Sequence, residues 1–124
     1  MTRELLVLEP SCSTSMLEPL SAIAIFLGAP HRWQPNLLDQ VIDTVRVLPS
    51  SRLIPMLERW SSERGLRFAV AESSQGWIDN VAAVISFDHK TMRTMKPFFD
   101  AIGIESVCFD LEQGTFVENM TSAP

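Results

Sequence analysis

Short apolar runs that end on an acidic residue recur along the chain. A buried run of this length, flanked by longer segments with helical spacing, is typical of a strand in a parallel sheet. The runs and the acids that end them are 5–8 with Glu9, 68–71 with Glu72, 84–87 with Asp88 and 107–109 with Asp110. The strands that contain the last two runs are predicted over 81–87 and 105–109. We therefore expect four parallel strands. Gln113 and Gly114 predict a turn into a short antiparallel strand over 115–117.

Helical spacing predicts three helices between the first and the second of these strands, and the first two of them lie within residues 16–48. The segment 16–27 is apolar on nearly every face and stops at Gly28. We expect it to be a central helix, buried on all sides. Pro35 and Asn36 then open a second helix, which apolar positions at helical spacing extend to residue 48.

Two further helices follow. The third comes after a break at Pro49 and ends at Gly65. Pro55 should lie in its first turn, because a proline inside a helix costs about 3 kcal/mol. The fourth lies between the last two parallel strands, and Pro97 predicts a kink or a restart within it. Strand, helix and strand over 81–110 together have the length of a right-handed parallel crossover.

These elements predict one α/β domain over residues 1–124. We expect three layers, with a mainly parallel sheet of four to five strands and helices on both faces. The general plan resembles a receiver or flavodoxin layout, a resemblance of fold that does not confer function. Three successive helices before the second strand depart from simple alternation, so either two of them cover one face or one forms a separate flap. Residues 121–124 are expected to be a frayed tail.

Composition and charge exclude some classes of protein. The chain is 46% hydrophobic and 20% charged, which is typical of a folded domain. Its net charge of −5 argues against a nucleic-acid binder, which needs a basic surface. Residues 46–67 nevertheless hold five arginines against two glutamates. Such a basic segment suits an acidic protein partner.

Cysteine content and hydropathy bear on location. Two cysteines are too few for a disulfide framework, and no secretory signal opens the chain. The longest uncharged stretch, 19–30, is shorter than the roughly 20 residues that span a bilayer. We therefore expect a cytoplasmic protein with no membrane partner.

The strand-end acids are candidates for a metal or acid–base site. Ligands of open α/β sheets bind outside the carboxyl ends of the strands, where these acids would lie. Asp88, Glu9 and Asp110 would be the ligands of a magnesium ion. In an acid–base enzyme, Asp88, His89, Glu9 and Glu72 would be catalytic. The competing interpretation is that each acid only ends a strand, with Asp88 capping the next helix.

The serine-rich loop after the first strand is a candidate anion site. Ser13, Thr14 and Ser15 precede a helix start, where hydroxyls and free amides can hold a phosphate. Residues 13–17 resemble the end of the phosphocysteine loop in sugar-transport phosphotransferase IIB domains. That family has its cysteine at the strand end, where this chain has Glu9, so the resemblance implies no phosphotransfer. The alternative is a loop that caps the helix.

Other motifs of catalysis are incomplete. Cys12 near the same helix start would need His89 as base and Asp88 to orient it, which is a conceivable grouping that spacing alone does not establish. No C-x-x-C or H-x-x-x-H pair exists, which excludes a zinc finger. No cofactor fingerprint is found, so we expect no cofactor, with magnesium reserved for the enzyme alternative.

Arginine and tryptophan mark candidate interface positions, since both are enriched at interface hot spots. The residues in question are Arg52, Arg59, Trp60 and Trp33. Arg52 and Arg59 are seven apart and so should share a helix face. The alternatives are that the arginines are solvated and that the tryptophans lie at the edge of the core.

Two functions from different classes remain open. We prefer a non-enzymatic regulatory or protein–protein interaction module that binds another, acidic protein and forms a homodimer or other small homo-oligomer. The alternative is a small magnesium-dependent or acid–base enzyme acting on a phosphorylated or nucleotide substrate at the carboxyl edge of the sheet. The absence of a complete catalytic set favours the first, and convergence of the strand-end acids on a pocket would favour the second.

Overall fold

The computed structural model describes residues 3–8, 17–38, 40–71 and 79–117, and within them it shows a mixed α/β fold. The strands are β1 Glu4–Leu8, β2 Thr44–Val47, β3 Arg67–Val70, β4 Val81–Ser86, β5 Glu105–Asp110 and β6 Thr115–Val117. The helices are α1 Leu17–Gly28, α2 Pro30–Trp33, α3 Ile54–Glu63 and α4 His89–Ala101, with a 3₁₀ turn at Pro35–Leu37. Over the described ranges, no helix has the length and hydropathy of a membrane span.

The six strands form one sheet in the order β3-β2-β1-β4-β5-β6. The first five strands are parallel, and β6 pairs antiparallel with β5. From β1 the chain proceeds outward through β2 to β3, and it then returns to place β4 on the other side of β1. This is the order of doubly wound nucleotide-binding sheets, with a reversed last strand, rather than the 2-1-3-4-5 order of the receiver and flavodoxin layout.

The helix predicted to begin at Asn36 and run to residue 48 is wrong. The segment contains only the 3₁₀ turn at its start, and its end is strand β2. The apolar residues that gave the helical spacing do not share a face, because Leu38 is 65% exposed and Val41 is 76% exposed while Val45 is fully buried. β-Branched residues dominate β2 and favour a strand between β1 and β3. The sheet therefore has six strands instead of four or five.

Side chains along β1 alternate between two buried clusters, as the period of a strand requires. Leu5 and Val7 pack with residues of α1 and α3, and Leu6 and Leu8 pack with residues of α4. β5 alternates in the same way, with Val107 in the first cluster. The core therefore lies on both sides of the central strands.

The ends of the helices agree well with the sequence. Pro55 lies in the first turn of α3, as predicted. The chain leaves that helix through Gly65, whose positive φ of 70° a residue with a Cβ rarely adopts. Helix α4 contains Pro97 and continues to Ala101 without the predicted restart. Strands β4, β5 and β6 lie where the pattern predicted them, to within one residue.

A buried ion pair joins the first two strands of the sheet. The guanidinium of Arg46 donates from Nε to Glu4 Oε1 and from Nη2 to Oε2, both at 2.8 Å. Its Nη1 also donates to the backbone carbonyl of Val70 at 3.0 Å. One side chain on β2 therefore links β1, β2 and β3.

Candidate functional site

Asp88 follows β4 and is the N-cap of α4. Its Oδ1 accepts a hydrogen bond from the backbone N–H of Lys90 at 3.1 Å, and its Oδ2 accepts one from the Thr91 hydroxyl at 2.7 Å. The backbone N–H of Asp88 donates to the Ser86 hydroxyl at 3.2 Å. Both carboxylate oxygens are therefore engaged in starting the helix, as the capping interpretation required.

Asp110 ends β5 and organises the turn into β6. Its Oδ1 accepts from the backbone N–H of Glu112 at 2.9 Å and of Gln113 at 3.1 Å. The N–H of Gln113, followed by that of Glu112 and by His89, lowers the pKa of this carboxyl below its ordinary value. Its Oδ2 lies 3.3 Å from His89 Nε2, close enough for an ion pair, although the angle is not that of a hydrogen bond. The structure thus brings two of the predicted site residues, Asp110 and His89, together.

The remaining predicted chemistry is only partly visible. Glu9, Glu72, Ser13, Thr14 and Ser15 lie outside the described residues, as does Cys12. Among the residues that are described, no group of three or more histidines, cysteines and acids is placed to hold a metal ion.

The second cysteine is an inert core residue. Cys108 is fully buried within β5. Burial, with the nearby charges of Asp110 and Asp88, raises the pKa of its thiol from 9.0 to about 11. A thiol that stays protonated is a poor nucleophile, so the prediction that Cys108 is a core residue is confirmed.

Two concavities lie along α3. The first, of about 400 Å³, is a groove whose lining residues are Leu20, Pro55, Met56, Arg59, Trp60 and Glu63. The second, of about 540 Å³, is lined by Ile54, Pro55, Glu58, Arg59, Ser62 and Glu63. They share Pro55, Arg59 and Glu63, so they form one continuous concave surface along the outer side of the helix. We call the first of them the α3 groove.

The amphipathic pattern of α3 explains why its outer side is open. Leu57, Trp60 and Ser61 point into the core, and Leu53 just before the helix joins them. Arg59 and Glu63 are exposed on the opposite side. Leu20 of α1 lines the α3 groove as well, so the groove combines apolar side chains of two helices with the charged Arg59 and Glu63.

The predicted interface tryptophans are largely core residues. Trp60 is only 7% exposed, and the guanidinium of Arg64 lies 4.4 Å from its ring centroid. Trp33 is half-buried and stacks on Phe116 at 4.3 Å. Trp60 contributes its edge to the α3 groove, whereas Trp33 lines neither concavity.

The two predicted arginines differ in their placement. Arg59 is the member that lines both concavities. Arg52 lies in the turn before α3, because the helix begins at Ile54, so the prediction that the two share a helix face is wrong. Sequence reasoning missed Leu20 and Met56. Their place in the α3 groove depends on the packing of α1 beside α3, and no local sequence pattern predicts that packing.

Comparison with known proteins found no relative: no protein-family model matches the chain, and no curated protein or solved structure does either. The geometry of the described residues is therefore the basis for a functional proposal.

Proposed function

We propose that this chain is a non-enzymatic regulatory or protein–protein interaction module that binds its partner along α3. One observation carries the proposal: both concavities follow this helix and share the predicted interface residue Arg59. The strand-end acids give less support to catalysis, because Asp88 and Asp110 use their oxygens to cap a helix and a turn.

The make-up of the α3 groove suits a protein contact. Protein interfaces combine an apolar centre with a polar rim, and arginine and methionine are enriched in them. Here the apolar Met56 and Trp60 line the α3 groove together with Arg59. An arginine beside apolar side chains can bind a carboxylate through two parallel hydrogen bonds from its planar guanidinium.

The charge around α3 favours an acidic partner. Between residues 49 and 67, four exposed arginines stand against two exposed glutamates. The fifth arginine of the basic segment, Arg46, is committed to Glu4. A chain with a net charge of −5 is a poor nucleic-acid binder, so the expected partner is a protein that presents acidic side chains.

The rest of the proposal concerns architecture and location. We infer a single three-layer domain over residues 1–124, supported by two buried clusters that alternate along β1 and β5. The proposal includes a cytoplasmic location, supported by the low cysteine count. It includes no cofactor.

A pull-down from cells that naturally make the protein tests the proposal. Arg59→Glu, alone and with Arg52→Glu, should reduce capture of the partner at least about tenfold, the effect of losing roughly 1.4 kcal/mol. Arg93→Glu is the matched control, because Arg93 is also an exposed arginine but lies on α4. The proposal fails if all three variants capture the same proteins in the same amounts, provided each melts at the wild-type temperature.

One observation favours the enzyme alternative. The strand order reverses between β1 and β4, and doubly wound sheets bind ligands at this switch point, outside the carboxyl ends of the strands. Asp88 and the pair of His89 and Asp110 follow β4 and β5 at that edge. The alternative is a magnesium-dependent or acid–base enzyme with a phosphorylated or nucleotide substrate.

Ligand-dependent thermal stability tests this alternative. Binding to the native state alone raises the melting temperature by mass action. Magnesium, a nucleoside triphosphate or both should stabilise the wild type and have no effect on Asp88→Asn or His89→Gln. If neither ligand shifts the wild-type melting temperature at about 100 times an expected dissociation constant, the alternative is rejected.

A further inference from the structure

The residues that line the two concavities along α3 form rows in which neighbours are four positions apart. Pro55, Arg59 and Glu63 make one such row, and they line both concavities. Met56 and Trp60 make the next row, and they line only the α3 groove. Side chains at this spacing form ridges on the surface of a helix, with furrows between neighbouring ridges. The α3 groove is therefore the furrow between these two rows.

Helix α1 also contributes to the α3 groove, through Leu20. The prediction that this helix is buried on all sides is wrong, because Leu20 is half-buried and Ile25 is 51% exposed. The described residues that line the α3 groove thus all belong to helices, α1 and α3.

A groove with this lining suits a helix better than an extended segment. Helices pack against each other by placing a ridge of one into a furrow of the other. A helix also satisfies its own backbone hydrogen bonds, whereas an extended segment needs a strand edge beside it. Two helices offer no such edge, because their backbone groups are already paired within each helix.

The exposed row of α3 carries one base and one acid. Arg59 and Glu63 are both exposed, and they lie about 6 Å apart along the helix axis. Among the described residues, neither side chain takes part in an ion pair. A charge that is covered on binding and left unpaired weakens the complex. The segment that fills the α3 groove should therefore present an acid to Arg59 and a base to Glu63.

We propose that the α3 groove binds an amphipathic helix of the partner protein, which carries an acid and a base four residues apart. Side chains at that spacing are about 6 Å apart along the axis of the bound helix, so one row of it meets both charges. Its apolar side chains pack against Met56 and Trp60. Because it names the segment that the partner inserts, this proposal rests on the proposed function. It also sharpens it, since a segment with acids alone places like charges against Glu63.

Fluorescence anisotropy of labelled synthetic helices, titrated with the full chain, is the test. Three peptides of about 20 residues share one sequence rich in alanine and leucine, and they differ only at two positions four residues apart. Two mixed peptides carry lysine and glutamate there, one in each order, and the acidic peptide carries two glutamates. The wild type should bind the better mixed peptide at least about tenfold more tightly than the acidic peptide.

Charge reversal at position 63 should reverse this preference. In Glu63→Arg both charges of the row are basic, so this variant should bind the acidic peptide at least about tenfold more tightly than either mixed peptide. Glu58→Arg is the matched control, because Glu58 is an exposed acid of the same helix that lines only the second concavity. It should keep the wild-type preference. Circular dichroism checks folding, and Glu63→Gln, which should lose the preference, replaces Glu63→Arg if the latter does not fold.

Three results would overturn the proposal. The first is that neither mixed peptide binds the wild type with a dissociation constant below about 1 mM. The second is that the wild type binds the acidic peptide as tightly as the better mixed peptide. The third is that a folded Glu63→Arg variant keeps the wild-type preference. Failure of the proposed function is seen separately, as unchanged capture of the partner by Arg59→Glu in the pull-down.

Discussion

The ion pair between Glu4 and Arg46 allows a quantitative prediction about stability. The two side chains are 6% and 15% exposed, and both hydrogen bonds between them are 2.8 Å long. Arg46→Met keeps the apolar stem and removes the charge, which leaves the Glu4 carboxylate buried without a partner. The carbonyl of Val70 loses its donor as well. Removing one member of a buried pair costs about 3–5 kcal/mol, and we expect a loss in that range.

The double variant separates the cost of an unpaired charge from the value of the pair. Replacing a buried ion pair by apolar residues of similar volume is often neutral or stabilising. Glu4→Met with Arg46→Met should therefore be more stable than Arg46→Met alone. The coupling between the two positions should be about 2–3 kcal/mol, as expected for groups in one hydrogen-bond network.

Urea unfolding followed by circular dichroism gives the free energies of unfolding for the wild type, both single variants and the double variant. The slope of the free energy of unfolding against urea concentration should be equal in all four proteins, since the surface exposed on unfolding hardly changes. The reasoning is refuted if Arg46→Met loses less than about 1 kcal/mol, which is the value of a surface ion pair. It is refuted as well if the two single losses add in the double variant.

Three further predictions concern single side chains. Ser61→Ala should raise the free energy of unfolding, measured by urea titration, by about 0.5–1 kcal/mol. The reason is that Ser61 Oγ is buried without a hydrogen-bond partner within the described ranges and that alanine favours a helix. A loss of stability contradicts this prediction. The native Cys108 thiol has a pKa of about 11 against 9.0, so the unfolded chain releases this proton first. Stability should therefore fall as pH rises between these two values. The melting temperature of Cys108→Ala should lack that part of the decline, and an equal decline of the melting temperature in the variant and the wild type contradicts this prediction. The pKa of Asp110 is lowered by the N–H groups of Gln113 and Glu112, so its contribution is present above about pH 4 and lost as pH falls through the native pKa. Melting temperatures of Asp110→Asn should therefore depend less on acid than those of the wild type, and an equal dependence contradicts this.

Much of the second half of the fold could be predicted because its local signals agree with one another. Strand β4 is a continuous apolar run, Asp88 caps the following helix, and glycines with positive φ stand after α4 and before β6. Each element is specified by neighbours in the sequence. The same local signals explain the acids at the ends of β4 and β5, because Asp88 caps a helix and Asp110 caps a turn.

The segment between α1 and β2 could not be predicted from local pattern. Pro35 and Asn36 are a genuine helix start, but the helix stops after one 3₁₀ turn. The Asn36 side chain instead donates to Glu105 at 2.6 Å, 69 residues away in the chain. Val45 fits the helical spacing of Val41, Ile42 and Leu48, and together with Val47 it also fits a strand alternation. The position between two other strands decides in favour of the strand. The order of the strands in the sheet depends on β2, so it could not be predicted either.

Residues of the candidate site could be predicted only where the residue type itself indicates an interface. Arginine and tryptophan drew attention to Arg59 and Trp60, and both line the α3 groove. Leu20 and Met56 carry no such signal, because they differ from core residues only through the packing of α1 beside α3. Arg52 was misplaced by a helix boundary, which local pattern determines poorly at a turn.

Photo-cross-linking from within the α3 groove tests the central claim most directly. A benzophenone amino acid is placed at Met56, which lines the α3 groove, and as a control at Phe98, which is 48% exposed on α4. Irradiation in cells that naturally make the protein should give a covalent adduct with an acidic partner protein from position 56 and none from position 98. No adduct from position 56, or the same adducts from both positions, would contradict the account.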